Sequence, residues 1–385
     1  MNPPPENELA QLLEAGLLRS LRTYETGPPP YLSSSGHSRL LNFSSNDYLG
    51  LSQHPALKAE AMAAIEKHGT GATASRLVCG TFDYHRELEE RIANLKQSDD
   101  ARLFANGYAT ALGSITALVG KEDVVILDKL SHASLIDAAK LSGAKLRVFP
   151  HNNLERLEHI LKNERTKKPN ARLLIVTESV FSMDGDLCPL SEIIVLKNTH
   201  GALLFLDEAH ALGILGENGL GLAEQIGEQH QVDFQMGTLG KAAGSAGGYL
   251  AANQSSIDLI TNKARSFIYS TAPPPAQVAA SLAGLNLIVS SEGAKLRQRL
   301  RANIATFQPT HPSATPIIPL IFGDNERALE ASERLRDQSF LVPAIRYPTV
   351  PKNTARLRVT LSAVHSEAQV QSLYTAVQSL LSQTN

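Results

Sequence analysis

A carboxylate and an imidazole stand three residues apart at the end of one apolar run of the chain. Asp207 follows the run ALLFL, and His210 is the third residue after it. Because the carboxyl ends of parallel strands face the ligand crevice of an α/β sheet, we expect both side chains beside a bound ligand. The carboxylate could hold a protonated ring nitrogen, and the imidazole could bond a ring oxygen. The alternative for Asp207 is a cap on the next helix.

Lys241 is the residue whose surroundings best suit covalent chemistry. It stands in GTLGKAAG, after the short strand-like run VDFQM, among small residues that leave room for a ligand. The neighbouring Thr238 offers a hydroxyl for a phosphate group. A lysine that forms Schiff bases needs a desolvated site or a nearby cation to lower its pKa. Taken alone, Lys241 also fits an exposed loop lysine.

Three further strand ends carry groups that suit a planar, phosphorylated ligand. The turn at Gly107 and Tyr108 follows ARLF and opens a helical pattern, which predicts an anion site made of free backbone amides. His132 follows DVVIL and could stack on a flat ring. After ARLLIV, a hydroxyl of Ser179 or Ser182 could contact a ring oxygen. Each feature alone also fits an ordinary turn or helix cap.

The order of these features along the chain carries more information than any one of them. An anion-binding turn, a stacking histidine, a serine, an aspartate with its histidine, and a glycine-flanked lysine follow one another. A fold-type I enzyme that depends on pyridoxal 5'-phosphate (PLP) requires this order. The sequence therefore predicts PLP as the cofactor, held as a Schiff base on Lys241.

The spacing of the apolar runs predicts the elements that position these residues. Short apolar runs alternate with helical stretches from about Asn46 onward, which is typical of a mostly parallel sheet with crossover helices. After Val278, the runs TPIIPLIFG, SFLVPAI and ARLRVTL flank a helix predicted over 325–338, which indicates a smaller α/β domain. We predict an N-terminal helix (7–22) and arm over 1–45, a large PLP-binding domain over 46–285 and a small domain over 286–385.

Composition excludes several other classes of function. The 385 residues carry a formal net charge of −2 without a long basic run, so nothing supports a nucleic-acid partner. No apolar stretch reaches the roughly 20 residues that span a bilayer, and the N-terminus lacks a signal-peptide pattern. We therefore expect a cytoplasmic protein without a membrane partner. Cys79 and Cys188 stand too far apart for a zinc ribbon or a disulfide framework, and we predict no metal site.

Three motif-like stretches lack the context that their chemistry requires. Gly69 and Gly71 match a loose dinucleotide fingerprint, but the residues before them read as a helix and not as a strand. The box DEAH at Asp207 has no GxxxxGK loop to accompany it, as a nucleotide-hydrolysing enzyme would. Gly244 begins GSAG, which is not the GxSxG elbow of a serine hydrolase.

Longer stretches of the chain resemble the α-oxoamine synthase family of fold-type I PLP enzymes. The resemblance covers nearly the whole chain from about residue 41, through LNFSSNDYLGLS, FANGYATALG, LDKLSHASLIDAAKLSGA, LDEAHALGILG, GTLGKAAGSAGGY and IRYPTVP. It implies a large domain with a mostly parallel seven-stranded sheet, and a homodimer with active sites between its subunits. Cys79 stands where the family usually has a small hydroxyl residue, outside the predicted chemical groups.

The resemblance also implies a role for each site residue. Catalysis would fall to Lys241, Asp207 and His132. PLP would be bound by Gly107, Tyr108, His132, Ser179, Asp207, His210, Thr238 and Lys241 and, across the dimer interface, by Ser270 and Thr271. Substrates would be bound by Arg22, Asn46, His132, Arg346 and Thr349, with Arg346 on the amino-acid carboxylate and Arg22 and Thr349 along the acyl path. Arg19 competes with Arg22, because the N-terminal match is loose.

Particular passages favour one activity within the family. SRLVCGT, SHASLIDAA, ESVFSMDGD and IRYPTVP resemble members that condense L-alanine with a pimeloyl thioester and release CO2 and the thiol carrier, a step of biotin biosynthesis. The residues leave open whether the carrier is coenzyme A or acyl carrier protein. The alternatives are a sister enzyme, such as glycine C-acetyltransferase, and a non-catalytic subunit of the same fold. Such a subunit typically lacks the lysine that this chain has at Lys241.

Overall fold

The computed structural model describes residues 5–27, 29–34 and 36–382 of the chain. Fourteen strands lie within these ranges: β1 Glu25–Thr26, β2 Tyr31–Ser34, β3 His37–Asn42, β4 Asp100–Phe104, β5 Val124–Asp128, β6 Lys145–Phe149, β7 Leu173–Glu178, β8 Leu203–Asp207, β9 Phe234–Thr238, β10 Gly248–Ala252, β11 Ile317–Gly323, β12 Phe340–Leu341, β13 Ala344–Ile345 and β14 Ala355–Thr360.

Fourteen α-helices lie within the same ranges: α1 Pro5–Glu14, α2 Pro55–His68, α3 Asp83–Lys96, α4 Gly107–Leu118, α5 Ala133–Leu141, α6 Leu154–Lys167, α7 Leu190–His200, α8 Leu222–Gln225, α9 Gln254–Lys263, α10 Arg265–Ile268, α11 Pro275–Ile288, α12 Ser291–Phe307, α13 Asn325–Asp337 and α14 Glu367–Ser382. None of the described helices combines the length and the apolar character needed to cross a membrane.

Seven of the described strands form the central sheet, in the order β4-β10-β9-β8-β7-β5-β6. Strands β5 to β9 pair in parallel, whereas β10 runs antiparallel to both β4 and β9. Every residue of β4, β5, β7 and β9 is buried, and β5 and β7 accordingly read as nearly continuous apolar runs. The predicted mostly parallel seven-stranded sheet is confirmed.

Helix α4 packs closely against one face of this sheet. Ala111 and Ile115 are fully buried in a cluster that includes Phe104 and Phe267. Burial of each of the three larger side chains, Ile115, Phe104 and Phe267, contributes about 1.5–3 kcal/mol. A Cβ at Gly113 would lie 2.9 Å from the ring of Phe104, so this close approach requires glycine. The packing fixes the start of α4 at the end of β4, where the predicted anion-binding turn lies.

The described chain divides into two compact units, and the division differs from the predicted one. The large unit holds residues 47–182 and 186–299, with the seven-stranded sheet, and the small unit holds residues up to 46, 183–185 and those from 300 onward. The predicted boundary at 285/286 falls inside α11, which packs against α2 and α3 in the large unit. The N-terminal arm, predicted as a separate segment over 1–45, joins the small unit because β3 pairs in parallel with β12.

One local prediction is wrong, and another is refined, at residues that interrupt regular structure. The helix predicted over 7–22 ends at Glu14, because Gly16 adopts a left-handed conformation with a φ of 64°. Arg22 therefore lies outside the helix. The run SFLVPAI forms two short strands, β12 and β13, in different sheets. Pro343 stands between them and has no N–H to continue a ladder.

Two buried histidines make the fold sensitive to acid. His85 accepts a hydrogen bond from the Phe82 N–H, and burial lowers its pKa to about 4. His365 accepts one from the Ser362 N–H, and burial lowers its pKa to about 4 as well. The unfolded chain takes up these protons near pH 6.5, whereas the folded chain takes them up only near pH 4. The free energy of unfolding therefore falls as the pH drops through this window.

We expect the thermal midpoint to decrease steadily from pH 6.5 to pH 4, and His365→Gln to make this decrease shallower. The glutamine cannot take up the proton that the unfolded wild-type chain binds at this position. The exposed His311 provides a matched control, because His311→Gln should leave the slope unchanged. Differential scanning calorimetry at several pH values measures the effect, and an unchanged slope in His365→Gln contradicts it.

Candidate active site

A cavity of about 200 Å³ lies in the large unit at the carboxyl ends of its strands. It is lined by Gly107, Tyr108, His132, Ser134, Glu178, Asp207, Ala209, His210, Met236, Thr238 and Lys241. These residues come from the ends of β4, β5, β7, β8 and β9 and from the connectors that follow them. Seven predicted site residues therefore meet in one cavity, as expected for the strand ends of an α/β sheet.

Lys241 lies at the end of a short chain of polar side chains. Its Nζ is 2.7 Å from Nε2 of His210, and Nδ1 of His210 is 2.5 Å from the hydroxyl of Tyr48. The connector that carries Lys241 is closed by a backbone hydrogen bond from Leu239 to Gly247 at 3.0 Å. The lysine is thus a half-buried residue of the cavity wall and not an exposed loop lysine.

Two carboxylates lie side by side on neighbouring strands of the cavity wall. Glu178 ends β7, Asp207 ends β8, and the two residues are partners in the parallel register. Burial raises the pKa of Asp207, and burial together with the charge of Asp207 raises the pKa of Glu178 well above its ordinary value. Oδ1 of Asp207 accepts a hydrogen bond from the Ala209 N–H at 2.8 Å. A cation in the cavity would stabilise the charged forms of both groups.

His132 caps the amino end of α5 and is held by hydrogen bonds at its backbone and its ring. Its N–H donates to Oε1 of Glu178 at 2.5 Å, and its Nδ1 accepts from the Ser134 N–H at 3.2 Å. Burial lowers the pKa of His132, so the ring is neutral near pH 7. Because Nδ1 accepts, we assign the ring proton to Nε2. A neutral ring here can stack on a planar ligand and donate one hydrogen bond.

The amino end of α4 provides a site for an anion. Gly107 is the first residue of this helix, and Asn106 caps it through its side chain. The first N–H groups of a helix, here those of Gly107 and Tyr108, have no acceptor within the helix and favour an anionic ligand. Thr238 faces this turn, since a Cβ at Gly107 would lie 3.7 Å from its Cβ. The predicted phosphate residues are therefore neighbours in the structure.

Three predicted cofactor residues are not among the described residues that line this cavity. Ser179 is fully buried, and its N–H and hydroxyl both donate to the carbonyl of Asp207, at 2.9 and 3.2 Å. Ser270 and Thr271 follow α10, and the exposed Thr271 forms an isolated β-bridge with Ser75. Their contacts with PLP stay predictions, as does the assignment of Ser270 and Thr271 to a partner subunit's site.

The small unit contains a second cavity, of about 420 Å³, that collects most of the predicted substrate residues. Arg22, Arg346 and Thr349 line it, together with Arg19, the alternative to Arg22. Nη2 of Arg19 donates to Oγ1 of Thr349 at 3.1 Å, whereas Arg22 forms an ion pair with Glu333 at 2.7 Å. Arg346 donates to two backbone carbonyls of the segment that follows α1. The cavity thus combines guanidinium groups with a hydroxyl.

Among the described residues, Asn46 is the one predicted substrate residue that lines neither of these two cavities. It lies at the end of the first segment of the small unit, and its Oδ1 accepts a hydrogen bond from Nη1 of Arg358 at 3.1 Å. Its contact with a substrate stays a prediction.

Sequence reasoning missed part of the first cavity. The missed lining residues are Ser134, Glu178, Ala209 and Met236. Two residues behind the lining were missed as well: Tyr48, next to His210, and Asp137, which accepts a hydrogen bond from the Tyr108 hydroxyl at 2.6 Å. Glu178, like Asp207, is a carboxylate at the end of an apolar strand, so the same sequence pattern could have identified it as a site residue. Tyr48 and His210 are 162 positions apart, and only the fold brings them together.

The groups that line this cavity fit PLP. A protonated ring nitrogen would offset the charges of the two buried carboxylates, whose pKa values are raised. The amides at the start of α4 and the hydroxyl of Thr238 suit a phosphate, and the amine of Lys241 suits an aldehyde. Among the residues that the structure describes, no group of three or more His, Cys, Asp or Glu side chains could hold a metal ion.

The fold and the cavity together define a fold-type I PLP-dependent transferase. The chain belongs to the aminotransferase class I and II family, whose sequence model matches residues 38–377. It is 47% identical over 372 residues to the 8-amino-7-oxononanoate synthase of Geobacter sulfurreducens, and the match covers 94% of each chain. The predicted family and fold class are confirmed.

Solved structures extend this comparison to the fold. A serine palmitoyltransferase from S. paucimobilis, bound to a PLP–myriocin aldimine, matches with a TM-score of 0.91 and 28% identity, covering 99% of this chain and 97% of that chain. An 8-amino-7-oxononanoate synthase from Francisella tularensis matches with a TM-score of 0.76 and 27% identity, covering 89% of this chain and 98% of that chain.

Proposed function

We propose that the chain is a PLP-dependent acyltransferase that condenses L-alanine with a pimeloyl thioester. The products are 8-amino-7-oxononanoate, CO2 and the free thiol carrier, in a step of biotin biosynthesis. The observation that carries this proposal is the cavity in which Lys241, His132 and Asp207 converge. The chain that forms it is 47% identical, over nearly its full length, to an 8-amino-7-oxononanoate synthase.

The sequence comparison and the structural comparison point to different sister enzymes, and the sequence decides between them. The serine palmitoyltransferase has the higher TM-score, 0.91 against 0.76, but is only 28% identical to this chain. Backbone similarity shows a shared fold, whereas side chains select the substrate. The 47% identity to an 8-amino-7-oxononanoate synthase is therefore the stronger evidence for the identity of the substrate.

PLP is the cofactor predicted from the sequence, and the family and the PLP-bearing structural neighbour confirm it. When bound, PLP supplies a sink for the electron pair that remains at the Cα of an amino acid after loss of a proton. The chain supplies the groups that bind the cofactor, orient the reactants and move protons.

Lys241 has two roles in this proposal. Its amine binds the cofactor covalently at rest and removes the Cα proton of L-alanine during the reaction. His210 lies 2.7 Å from this amine and is held in turn by Tyr48 at 2.5 Å. The Tyr48–His210 pair therefore orients the amine and can bond an oxygen of the cofactor ring.

The cavity wall controls charge around the reacting atoms. Asp207 would keep the nitrogen of the cofactor ring protonated. The buried Asp207 carboxylate needs a counter-charge, and the protonated nitrogen would supply it. His132 stacks on the ring and donates its Nε2–H to the thioester carbonyl, where negative charge develops. Glu178 holds His132 through the 2.5 Å bond to its backbone N–H. Thr238 and the start of α4 hold the phosphate.

The arginines of the second cavity suit the carboxylates of the substrates. Arg346 takes the carboxylate of L-alanine, because guanidinium binds carboxylate through two parallel hydrogen bonds. Arg22 and Thr349 line the path of the acyl chain. Nη2 of Arg19 bonds Thr349 at 3.1 Å, which supports a shared role for Arg19.

A substrate comparison tests the proposed activity. We expect thiol release to be fastest with L-alanine and a pimeloyl thioester, and at least about 10-fold slower with glycine, since one methyl group is worth about this much in a fitted pocket. The assay pairs L-alanine, glycine and L-serine with pimeloyl, acetyl and palmitoyl donors, and mass spectrometry identifies the product. Pimeloyl-CoA and pimeloyl-acyl carrier protein, run in parallel, identify the carrier. A preference for glycine with acetyl-CoA, or for L-serine with palmitoyl-CoA, would reject the proposal.

We propose a homodimer whose interface includes the segments around Ser75 and Thr271. Large apolar side chains next to this β-bridge are exposed, with Leu77 54%, Val78 78% and Tyr269 70% accessible. Such exposure is typical of a surface that another chain covers. Sedimentation should give twice the chain mass, and Val78→Asp should shift the protein toward monomer with loss of activity. A fully active monomer contradicts this arrangement.

A further inference from the structure

An imidazole lies between two carboxylates elsewhere in the large unit. Nδ1 of His151 is 3.0 Å from Oδ1 of Asp128, and its Nε2 is 2.7 Å from Oδ2 of Asp186. The ring packs edge-on against Phe181, with 4.3 Å between ring centroids. None of these residues has a role in the chemistry described above.

The two carboxylates hold His151 as a cation. Both ring nitrogens face carboxylate oxygens, and both can donate only when the ring is protonated. Burial lowers the pKa of His151, but the hydrogen bonds and charges of Asp128 and Asp186 outweigh this effect and raise it to about 10. Asn152 completes the cluster, since its N–H donates to Asp128 at 2.9 Å and its side chain to Asp186 at 3.1 Å. The bridge is therefore intact at neutral pH.

Asp128 lies at the start of one connector and Asp186 lies within another, and both connectors adjoin active-site residues. Asp128 ends β5, four residues before His132, and its Oδ1 also accepts from the Leu130 N–H at 2.8 Å. Asp186 lies on the segment that leaves β7 at Glu178, and this segment folds back through an isolated β-bridge. The two connectors meet a second time where the His132 N–H donates to Glu178 at 2.5 Å. His151 thus joins the same two connectors that His132 and Glu178 join in the cavity wall.

We propose that His151 is a positioning residue for His132. By joining Asp128 to Asp186, it fixes the two connectors relative to each other and holds His132 at the distance from Glu178 that the cavity requires. The inference rests on the proposed role of His132 in the condensation. It does not depend on which amino acid or acyl donor the enzyme takes.

His151→Gln tests the proposal, because glutamine can bond one carboxylate but cannot carry charge between two. We expect kcat/KM to fall about 10- to 100-fold, since a catalytic group displaced by about 1 Å loses this much. His54→Gln is the matched control. His54 contacts Glu292 at 3.2 Å with 21% of its side chain accessible, against 24% for His151, and lies outside both connectors. The control should keep its full activity.

A double variant distinguishes positioning from a general loss of structure. If His151 acts through His132, then adding His151→Gln to His132→Ala should lower activity by no more than about 2-fold further. An equal loss in both backgrounds would mean that His151 acts independently of His132 and would overturn the proposal. Unchanged activity in the single variant would overturn it as well.

Histidine NMR of the full-length holoenzyme gives a readout that does not need turnover. The ring signal of His132 should move in His151→Gln and stay in place in His54→Gln, and a fixed His132 signal in both variants contradicts the proposal. If His151→Gln does not fold, Asp186→Asn weakens the 2.7 Å contact and should give the same results. These outcomes are separate from the substrate assays, because a preference for glycine would leave the NMR comparison unchanged.

Discussion

Lys241→Ala is expected to lower the rate of condensation by at least about 1000-fold and to leave PLP without a covalent link to the chain. The substitution removes the amine that binds the cofactor and the base that takes the Cα proton. A positioned general base alone contributes about 100- to 10,000-fold. The substitution also removes the 2.7 Å contact with His210, the imidazole that orients the amine. The amine loses both roles at once, covalent binding at rest and proton removal during the reaction, so no other single substitution in the cavity should lower the rate more.

Borohydride treatment followed by peptide mass spectrometry measures the covalent link directly. The wild-type protein should be yellow, lose its colour on reduction and carry the cofactor on the peptide that contains Lys241. Lys241→Arg should behave like Lys241→Ala, since guanidinium stays protonated and does not condense with the aldehyde. Lys129→Ala removes an exposed lysine of a neighbouring connector and should leave both colour and activity intact. A reduced adduct that persists in Lys241→Ala contradicts the assignment.

The main part of the cavity could be predicted from local sequence because one rule of the fold places it. Parallel strands end at the same edge of a sheet, so residues that follow apolar runs meet there whatever the rest of the chain does. His132, Asp207 and Lys241 are each separated by more than 30 residues, yet all line the same cavity. Strand ends can be read from short apolar runs, and their convergence follows from the sheet.

The remaining features depend on contacts that local patterns do not encode. Tyr48 meets His210 across 162 positions, and β3 pairs with β12 across about 300, so neither could be inferred from spacing. The helix predicted over 7–22 is too long because the prediction followed the periodic leucines, whereas Gly16 ends the helical conformation. Glu178 could have been identified from the sequence, because it ends an apolar strand as Asp207 does. Asp207 was selected because His210 follows it three positions later, and Glu178 has no histidine at that distance.

A buried ion pair supports the strand end at which Asp207 lies. Nζ of Lys96 donates to Oε2 of Glu208 at 2.6 Å, and both side chains are almost completely excluded from solvent. Oε1 of Glu208 accepts from the Ala223 N–H at 3.1 Å. Burial lowers the pKa of Lys96, but the adjacent charge of Glu208 outweighs this effect and leaves the pKa raised. The lysine is therefore charged at neutral pH, next to the residue that follows Asp207 in the chain.

Lys96→Met is expected to lower the free energy of unfolding by about 3–5 kcal/mol, because it leaves the charge of Glu208 buried without a counter-charge. Lys96→Met combined with Glu208→Gln should recover most of this loss, since a neutral amide needs no counter-ion. Lys67→Met removes an exposed charge that lies 3.5 Å from Asp83 and 5.7 Å from the ring centroid of Tyr84, and it should change the free energy by less than about 1 kcal/mol. Urea unfolding followed by circular dichroism measures all three variants. A double variant as unstable as Lys96→Met would show that lost packing, and not the unpaired charge, causes the instability.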